Sequence, residues 1–158
     1  MEKDSRDRRD LMKFYIDCEF DGHGGQLLSL AMVRSDGLGI HIKTHNEATD
    51  LWVLENVVPL MDNHNASMGQ WIPENEVGLS IKSFIGDCEA PIIVADSPVD
   101  IGRFCTAIST GSDGGWSSTG YPLMTFEVHN VDCYPTALED AVRHNAWWDA
   151  MALRSKLA

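Results

Sequence analysis

The sequence predicts an α/β protein built on a mixed five-stranded sheet, with helices packed on both faces. Two observations lead to this prediction. Three apolar segments near the N-terminus are joined by short glycine-containing turns, which is typical of an antiparallel three-strand meander. The segments that follow alternate between helical and extended patterns, as they do where helices connect parallel strands. The predicted order is β-β-β-α-α-β-α-β-α.

The predicted meander occupies residues 13–20, 26–34 and 38–44. Its first turn is the glycine-rich segment 21–25. Its second turn, residues 35–37, has the sequence Ser-Asp-Gly, which is typical of a hairpin. The three segments are therefore expected to pair as consecutive neighbours in one sheet.

Capping residues, prolines and apolar spacing place the remaining elements. Asp50 is a typical N-cap for a short helix that Pro59 interrupts. Pro73 opens a second helix with an apolar stripe, and Asp100 begins a third. A buried central strand is predicted over residues 91–95, a mobile Gly/Ser-rich loop over 109–120 and a last strand over 123–128. The C-terminal helix is predicted to begin at Thr136, which forms a capping box with Glu139.

Composition and charge narrow the class of protein. Of the 158 residues 44% are hydrophobic and 23% are charged, as in a soluble globular domain. Residues 1–11 are predicted to form a charged flexible tail, and residues 12–158 a single domain. No apolar run could cross a membrane, and four scattered cysteines without an export signal predict reduced thiols in a cytoplasmic protein. The net charge of −12 argues against a binder of long duplex nucleic acid.

The most informative segment places two carboxylates in the middle of the first strand. Asp17 and Glu19 are two residues apart, so both side chains point to the same face of the sheet. Neighbouring carboxylates raise the cost of ionising each other, and a bound Mg²⁺ or Mn²⁺ would offset that cost. The alternative is an edge strand whose acidic face is simply exposed to water.

Two further aspartates, Asp96 and Asp100, follow the predicted buried strand. Loops at the carboxyl ends of central strands are where α/β folds place their functional sites, so both aspartates are candidates. Either of them could instead only cap the helix that follows.

A third candidate pair, His144 and Asp149, lies near the C-terminus. Within one regular helix, a separation of five residues would place the two side chains about 140° apart. They converge only if His144 precedes the helix and Asn145 is its N-cap. A lone surface histidine is the alternative. The other histidines share no ligand spacing and receive no role: His23, His41, His45, His64 and His129.

The three candidate sites occur in the order typical of the DEDDh family, the DnaQ-like 3′–5′ exonucleases of the ribonuclease H-like superfamily. The chain resembles this family through Asp17-x-Glu19, Asp100 and His144-x4-Asp149, over residues 13–157. The segments VADSPVDIGRF and HNAWWDAMAL are similar to those of a small bacterial and phage subgroup of exoribonucleases that prefer adenylate-containing RNA. The resemblance implies a ribonuclease H-like fold and a metal-dependent exonuclease.

The resemblance also implies a reaction and roles for the residues. Single-stranded RNA would be hydrolysed from its 3′ end to nucleoside 5′-monophosphates, with two Mg²⁺ or Mn²⁺ ions about 3.5–4 Å apart. Asp17 would bridge both ions, while Glu19 and Asp149 would hold the ion that activates water. Asp100 would hold the ion at the leaving group, and His144 would accept the proton of the water. The implied partner is an RNA 3′ end or a short oligonucleotide, and no membrane partner is implied. The resemblance is also compatible with a homodimer of this chain.

The chain departs from the family pattern at two places. The second family motif has an asparagine four residues before its aspartate, where this chain has Asp96. The segment around Asp140 imitates the third motif, but Pro135 occupies its histidine position, so Asp140 is predicted to be a solvated helix residue. Phe20, Asp96 and Asn145 are weaker candidates for contact with the substrate. A proofreading exodeoxyribonuclease and a non-catalytic interaction module remain as alternatives.

Overall fold

The computed structural model describes residues 12–62, 69–115, 123–132 and 137–158. The strands are β1 Lys13–Phe20, β2 Leu27–Arg34, β3 Gly39–Thr44, β4 Gly69–Ile72, β5 Ile92–Ala95 and β6 Thr125–Val128. The helices are α1 Leu51–Asn56, α2 Val77–Ile85, α3 Pro98–Ile108 and α4 Ala146–Leu157, with short 3₁₀ turns at Val58–Leu60 and Glu74–Glu76. The strands form one sheet in the order β4-β3-β2-β1-β5-β6.

The predicted antiparallel meander is confirmed. β1 pairs with β2, and β2 with β3, in antiparallel register. An ion pair between Arg34 and Asp36 closes the hairpin turn. The other strands are added in parallel, β4 on β3, β5 on β1, and β6 on β5. The carboxyl ends of all strands except β2 therefore meet at one edge of the sheet, which we call the carboxyl edge.

The sheet has six strands rather than the predicted five, because residues 69–72 form β4 beside β3. From the sequence this segment was expected to belong to a polar loop. Its four residues, Gly-Gln-Trp-Ile, are too few to show the alternating period of a strand. Only the hydrogen-bonded pairing with β3 defines the segment as a strand.

Helices cover both faces of the sheet, as predicted. α2 and α3 pack on one face over the main core, which includes the buried residues Ile16, Leu30, Ile42, Ile93 and Phe104. α1 and α4 pack on the other face, where Ala146 and Ala150 share a buried cluster with Ala31 of β2. Side chains alternate along β1, so Ile16 faces the main core and Asp17 faces the side of α4.

The third helix begins earlier than the sequence suggested. α3 starts at Pro98, and the hydroxyl of its N-cap residue Ser97 accepts a hydrogen bond from the backbone N–H of Val99. Asp100 therefore lies inside the first turn rather than at the start. Neither Asp96 nor Asp100 is the N-cap, which excludes the capping alternative for both aspartates.

The last helix begins later than predicted. α4 starts at Ala146 with Asn145 as its N-cap, and residues 137–145 are turns. Asp140 and His144 adopt left-handed backbone conformations, with φ of 62° and 60°, which are incompatible with a continuous right-handed helix. Asp140 is exposed, as expected of a solvated residue, but it is not in a helix.

Several predictions concern residues outside the described ones, namely the tail 1–11, loop residues 116–120, Pro135 and the proposed cap Thr136. The described cysteines, Cys18, Cys88 and Cys105, are free thiols. In the part of the chain that the structure describes, no helix has the length and apolar character needed to cross a membrane.

Candidate metal centre

Five carboxylates converge at the carboxyl edge of the sheet. Their oxygens form two sets, each within 4.8 Å, and these sets are Asp17, Asp96 and Asp100, and Asp17, Glu19 and Asp149. Asp17 belongs to both sets. The fold thus brings together all four carboxylates that the sequence suggested as metal ligands, and it adds Asp96 to them.

The parallel pairing of β1 with β5 positions one set. The chain leaves β5 through Asp96 at the level of Asp17 in β1, and the Ser97 cap then turns it into α3. Asp100, in the first turn of α3, is only 5% exposed. The backbone N–H of Cys18 donates a hydrogen bond to the Asp100 carboxylate, which ties the start of α3 to β1.

The N-terminus of α4 positions the other set. The Asn145 side chain accepts a hydrogen bond from the backbone N–H of Trp148, so the predicted cap is confirmed. Trp147 packs closely over β3, because a Cβ atom on Gly39 would lie 2.8 Å from its ring. Asp149 is one turn into the helix and reaches the carboxylates of β1. His144 thus precedes α4 and Asp149 lies one turn inside it, which is the arrangement that the sequence required for this pair.

Burial and mutual repulsion oppose ionisation of the two carboxylates on β1. Burial, followed by the charges of Asp100 and Glu19, raises the pKa of Asp17 well above its ordinary value. Burial, followed by the charges of Asp149 and Asp100, raises the pKa of Glu19 to about 8. Without a cation, the cluster would therefore retain protons at neutral pH.

The other three carboxylates behave in the same way. Burial, followed by the charge of Asp96, raises the pKa of both Asp100 and Asp149 to about 7. Burial also raises the pKa of Asp96, whose side chain is hydrogen-bonded to Asp100. All three carboxylates therefore resist ionisation in the absence of a cation.

One oxygen of Asp17 indicates a position where a cation could bind. Oδ2 of Asp17 is buried and has no hydrogen-bond partner among the described residues. Leaving a buried acceptor unsatisfied costs roughly 1–3 kcal/mol, so such an atom in a folded protein requires an explanation. Carboxylate oxygens are the ligands that Mg²⁺ and Mn²⁺ prefer. The residues present fit a divalent cation in each set, with Asp17 shared between the two.

His144 lies outside both sets of clustered oxygens. Its imidazole packs edge-on against Trp52 of α1, with ring centroids 5.0 Å apart and an interplanar angle of 83°. Burial, followed by the charge of Arg143, lowers the pKa of His144 below its ordinary value. The backbone N–H of His144 also donates a hydrogen bond to Asp149. The imidazole is therefore neutral at pH 7 and able to accept a proton.

The weaker candidates for substrate contact receive different roles. The guanidinium of Arg103 lies 4.5 Å from the ring centroid of Phe20 and donates a hydrogen bond to the backbone oxygen of Gly25. Phe20 packs against the main core, on the face opposite Glu19. Asn145 is buried and also donates a hydrogen bond, 2.6 Å long, to the backbone oxygen of Leu60. The geometry supports packing for Phe20 and capping for Asn145.

Three residues at the site were missed or misread by sequence reasoning. Asp96 was a candidate for the functional site, for helix capping or for weak substrate contact, but it was not predicted to be a metal ligand. Its position at the carboxyl end of the central strand is the signal that was available. Trp52 was missed, and its signal is a large aromatic residue in the first turn of a capped helix. Arg103 has no sequence signal, because its contacts with Phe20 and Gly25 exist only in the folded chain.

Comparison of the sequence with protein-family models and with curated proteins finds no significant match. The α/β architecture and the clustered carboxylates are therefore known from the structure and not from a relative. Family and reaction must therefore be inferred from the order of the motifs and the geometry of these carboxylates.

Proposed function

We propose that this protein is a 3′–5′ exoribonuclease of the DEDDh type with a ribonuclease H-like fold. The observation that carries the proposal is the convergence of the predicted ligands in two sets that share Asp17. The strand order is compatible with this fold, since a three-strand meander is continued by parallel strands beside β1. Two overlapping carboxylate sets are the arrangement needed for two divalent ions that act together on one phosphate.

Each of the two carboxylate sets would hold one ion. Asp96 and Asp100 would hold one ion together with Asp17, and Glu19 and Asp149 would hold the other together with Asp17. Bound Mg²⁺ or Mn²⁺ would supply Lewis-acid activation of water and neutralisation of charge at the scissile phosphate. Because the carboxylates must release protons before they can bind cations, metal affinity should rise with pH.

His144 is the proposed proton acceptor. Its lowered pKa keeps the imidazole neutral at pH 7, which is the form that can take a proton from water. The edge-on contact with Trp52 limits rotation of the ring. The hydrogen bond from the backbone N–H of His144 to Asp149 keeps the base next to a carboxylate of the metal centre.

The proposed substrate is single-stranded RNA, and the products are nucleoside 5′-monophosphates released from the 3′ end. With a net charge of −12, the protein should bind long duplex poorly, since it lacks the basic footprint that duplex binding requires. We place this activity in the cytoplasm, which is compatible with the free thiols of Cys18, Cys88 and Cys105.

The test is incubation of the purified protein with 5′-labelled RNA and DNA octamers in the presence of Mg²⁺, Mn²⁺ or EDTA. We expect stepwise shortening of single-stranded RNA from its 3′ end, slower shortening of DNA, and no reaction in EDTA. Asp87→Asn is the matched control for site variants, because Asp87 is an exposed carboxylate outside the cluster. This control should react like the unaltered protein.

Three outcomes would replace the proposal. Full activity in EDTA would exclude the two-metal mechanism. Faster hydrolysis of DNA than of RNA would make the protein an exodeoxyribonuclease. Thermal stabilisation by Mn²⁺ without hydrolysis of either polymer would indicate a metal-binding module with no nuclease activity.

A further inference from the structure

An exposed aromatic surface lies at the carboxyl edge, on the far side of the meander from the metal centre. It consists of Trp71 on β4, His45 directly after β3 and Lys43 on β3, and we call it the β3–β4 platform. The indole of Trp71 is 46% exposed and is stacked with the imidazole of His45, with centroids 6.3 Å apart and planes at 23°. Nζ of Lys43 lies 4.9 Å from the indole centroid.

The strand register connects this platform to the metal centre. Glu19 pairs with Ser29, Ser29 pairs with Lys43, and Lys43 pairs with Trp71. Paired residues on neighbouring strands point to the same face, so Trp71 lies on the face that carries Glu19. With neighbouring strands about 4.8 Å apart, three steps place Trp71 about 14 Å from Glu19. A stacked single strand with about 3.4 Å per nucleotide covers this distance in roughly four nucleotides.

The platform is a rigid aromatic surface rather than a basic patch. Lys43 is buried, and its ammonium group forms an ion pair with Asp62, so most of its charge is compensated. The ammonium group lies over the indole ring in a cation–π contact. Because Trp71 and His45 are both exposed, the stacked pair offers an aromatic surface that its neighbours hold in place.

The route between the two sites follows the edge of the sheet. Ser29, which lies between Glu19 and Lys43, is buried, and α1 packs on the same face against Leu28. A strand of RNA could not cross the sheet surface directly beneath α1. It would instead pass along the exposed segment 45–50, which leads from β3 to α1.

We infer that the β3–β4 platform stacks a base upstream of the scissile nucleotide, so that the protein holds single-stranded RNA at two separate points. This inference rests on the proposed function and adds a substrate-binding site to it. Stacking on an aromatic ring accepts any base and requires no basic residues at the contact. It therefore explains how a chain with a net charge of −12 could retain an RNA strand beyond the metal centre.

The experiment compares kinetics on an RNA trimer and an RNA octamer in Mg²⁺. Only the octamer is long enough to reach the platform. Trp71→Ala should raise the KM for the octamer about tenfold with little change in kcat, since one lost stacking contact corresponds to about that factor. For the trimer, Trp71→Ala should change KM less than twofold. His45→Ala should raise the octamer KM about threefold, and Trp71→Phe should restore most of the affinity because it keeps an aromatic face.

The matched control is Leu79→Ala, because Leu79 is an exposed apolar residue, 58% accessible, on α2 at the opposite face. Equal octamer KM values for Trp71→Ala and Leu79→Ala would overturn the inference, and so would an equal KM increase on trimer and octamer. If Trp71→Ala does not fold, His45→Ala and Trp71→Phe decide by the same length comparison. Failure of the unaltered protein to hydrolyse RNA would refute the proposed function, whereas loss of the length dependence alone refutes only the platform.

Discussion

Asp17 within β1 and Asp21 directly after it illustrate how a structural carboxylate differs from a functional one. Asp21 accepts hydrogen bonds of 2.8–2.9 Å from the backbone N–H groups of Thr49 and Asp50 and from the Thr49 hydroxyl. These hydrogen bonds lower its pKa. Asp17 is four residues earlier, and its buried Oδ2 has no hydrogen-bond partner in the described part of the chain. Burial and neighbouring acids raise its pKa.

The difference lies in what supplies the positive partner. The backbone satisfies Asp21, which holds the start of α1 against the end of β1, since Asp50 is also the N-cap of α1. Asp17 instead shares its surroundings with four further carboxylates, namely Glu19, Asp96, Asp100 and Asp149. A fold tolerates such an arrangement when an external cation completes it, and the same site then costs stability when the cation is removed.

The largest expected effect comes from Asp17→Asn. Removing the carboxylate shared by both sets should lower exonuclease activity by orders of magnitude and abolish the increase in melting temperature caused by Mn²⁺. Without metal, the melting temperature should change little, because the amide has nearly the size of the protonated carboxyl group that it replaces. Thermal melts with and without Mn²⁺ measure both effects, and Asp87→Asn is the control. A retained Mn²⁺ shift in Asp17→Asn would mean that the ion binds elsewhere.

The next largest effect distinguishes two assignments of the third family motif, one to His144 and Asp149 and the other to the segment around Asp140. His144→Ala should lower kcat by about 10²–10⁴-fold, the usual contribution of a general base. Asp149→Asn should be similarly inactive, because it removes a predicted ligand. Asp140→Asn should stay within a few-fold of the unaltered protein, since Asp140 is exposed in a turn. An inactive Asp140→Asn would show that the third motif is assigned to the wrong residues.

A smaller effect is expected from Asp21→Ala. Loss of its hydrogen bonds to Thr49 and Asp50 should lower the melting temperature by a few degrees, while the stabilisation by Mn²⁺ remains. This is the reverse of the pattern predicted for Asp17→Asn. Differential scanning fluorimetry of both variants in EDTA and in Mn²⁺ measures it. If Asp21→Ala also abolished the Mn²⁺ shift, the proposed division between structural and functional carboxylates would be wrong.

The smallest effect is the pH dependence of stability without metal. Glu19, Asp100 and Asp149 have folded-state pKa values of about 8, 7 and 7, above the values of about 4 expected in the unfolded chain. The folded protein therefore binds more protons between about pH 4 and pH 8, so their stabilising contribution is present at low pH and is lost as pH rises through this window.

Thermal melts in EDTA between pH 5.5 and 8.5 measure this dependence. The decline in melting temperature should be steeper for the unaltered protein than for Glu19→Gln, which lacks one of the three groups that titrate in this window. The Mn²⁺-induced shift should grow over the same range, because protons and ions compete for the same oxygens. Parallel pH profiles for the two proteins would contradict the raised pKa values of the cluster.

Features that depend on local sequence could be predicted well. The meander was predicted because its short turns and apolar strands are neighbours in the chain. Asp17 and Glu19 were placed on one face by the two-residue period of a strand, and Asn145 was identified as the cap that lets His144 precede α4. Each of these predictions involves interactions over a few residues, which backbone geometry largely determines.

Long-range contacts decided the remaining features. β4 is a strand only because β3 lies beside it, and α3 begins at Pro98 because Ser97 caps it where the chain leaves β5. The sequence alone indicated which acids were candidates for a metal centre. Only the folded chain showed that Asp96 joins them and that Asp17 keeps an unsatisfied oxygen, because the burial and charge of an atom depend on segments that are distant in the chain.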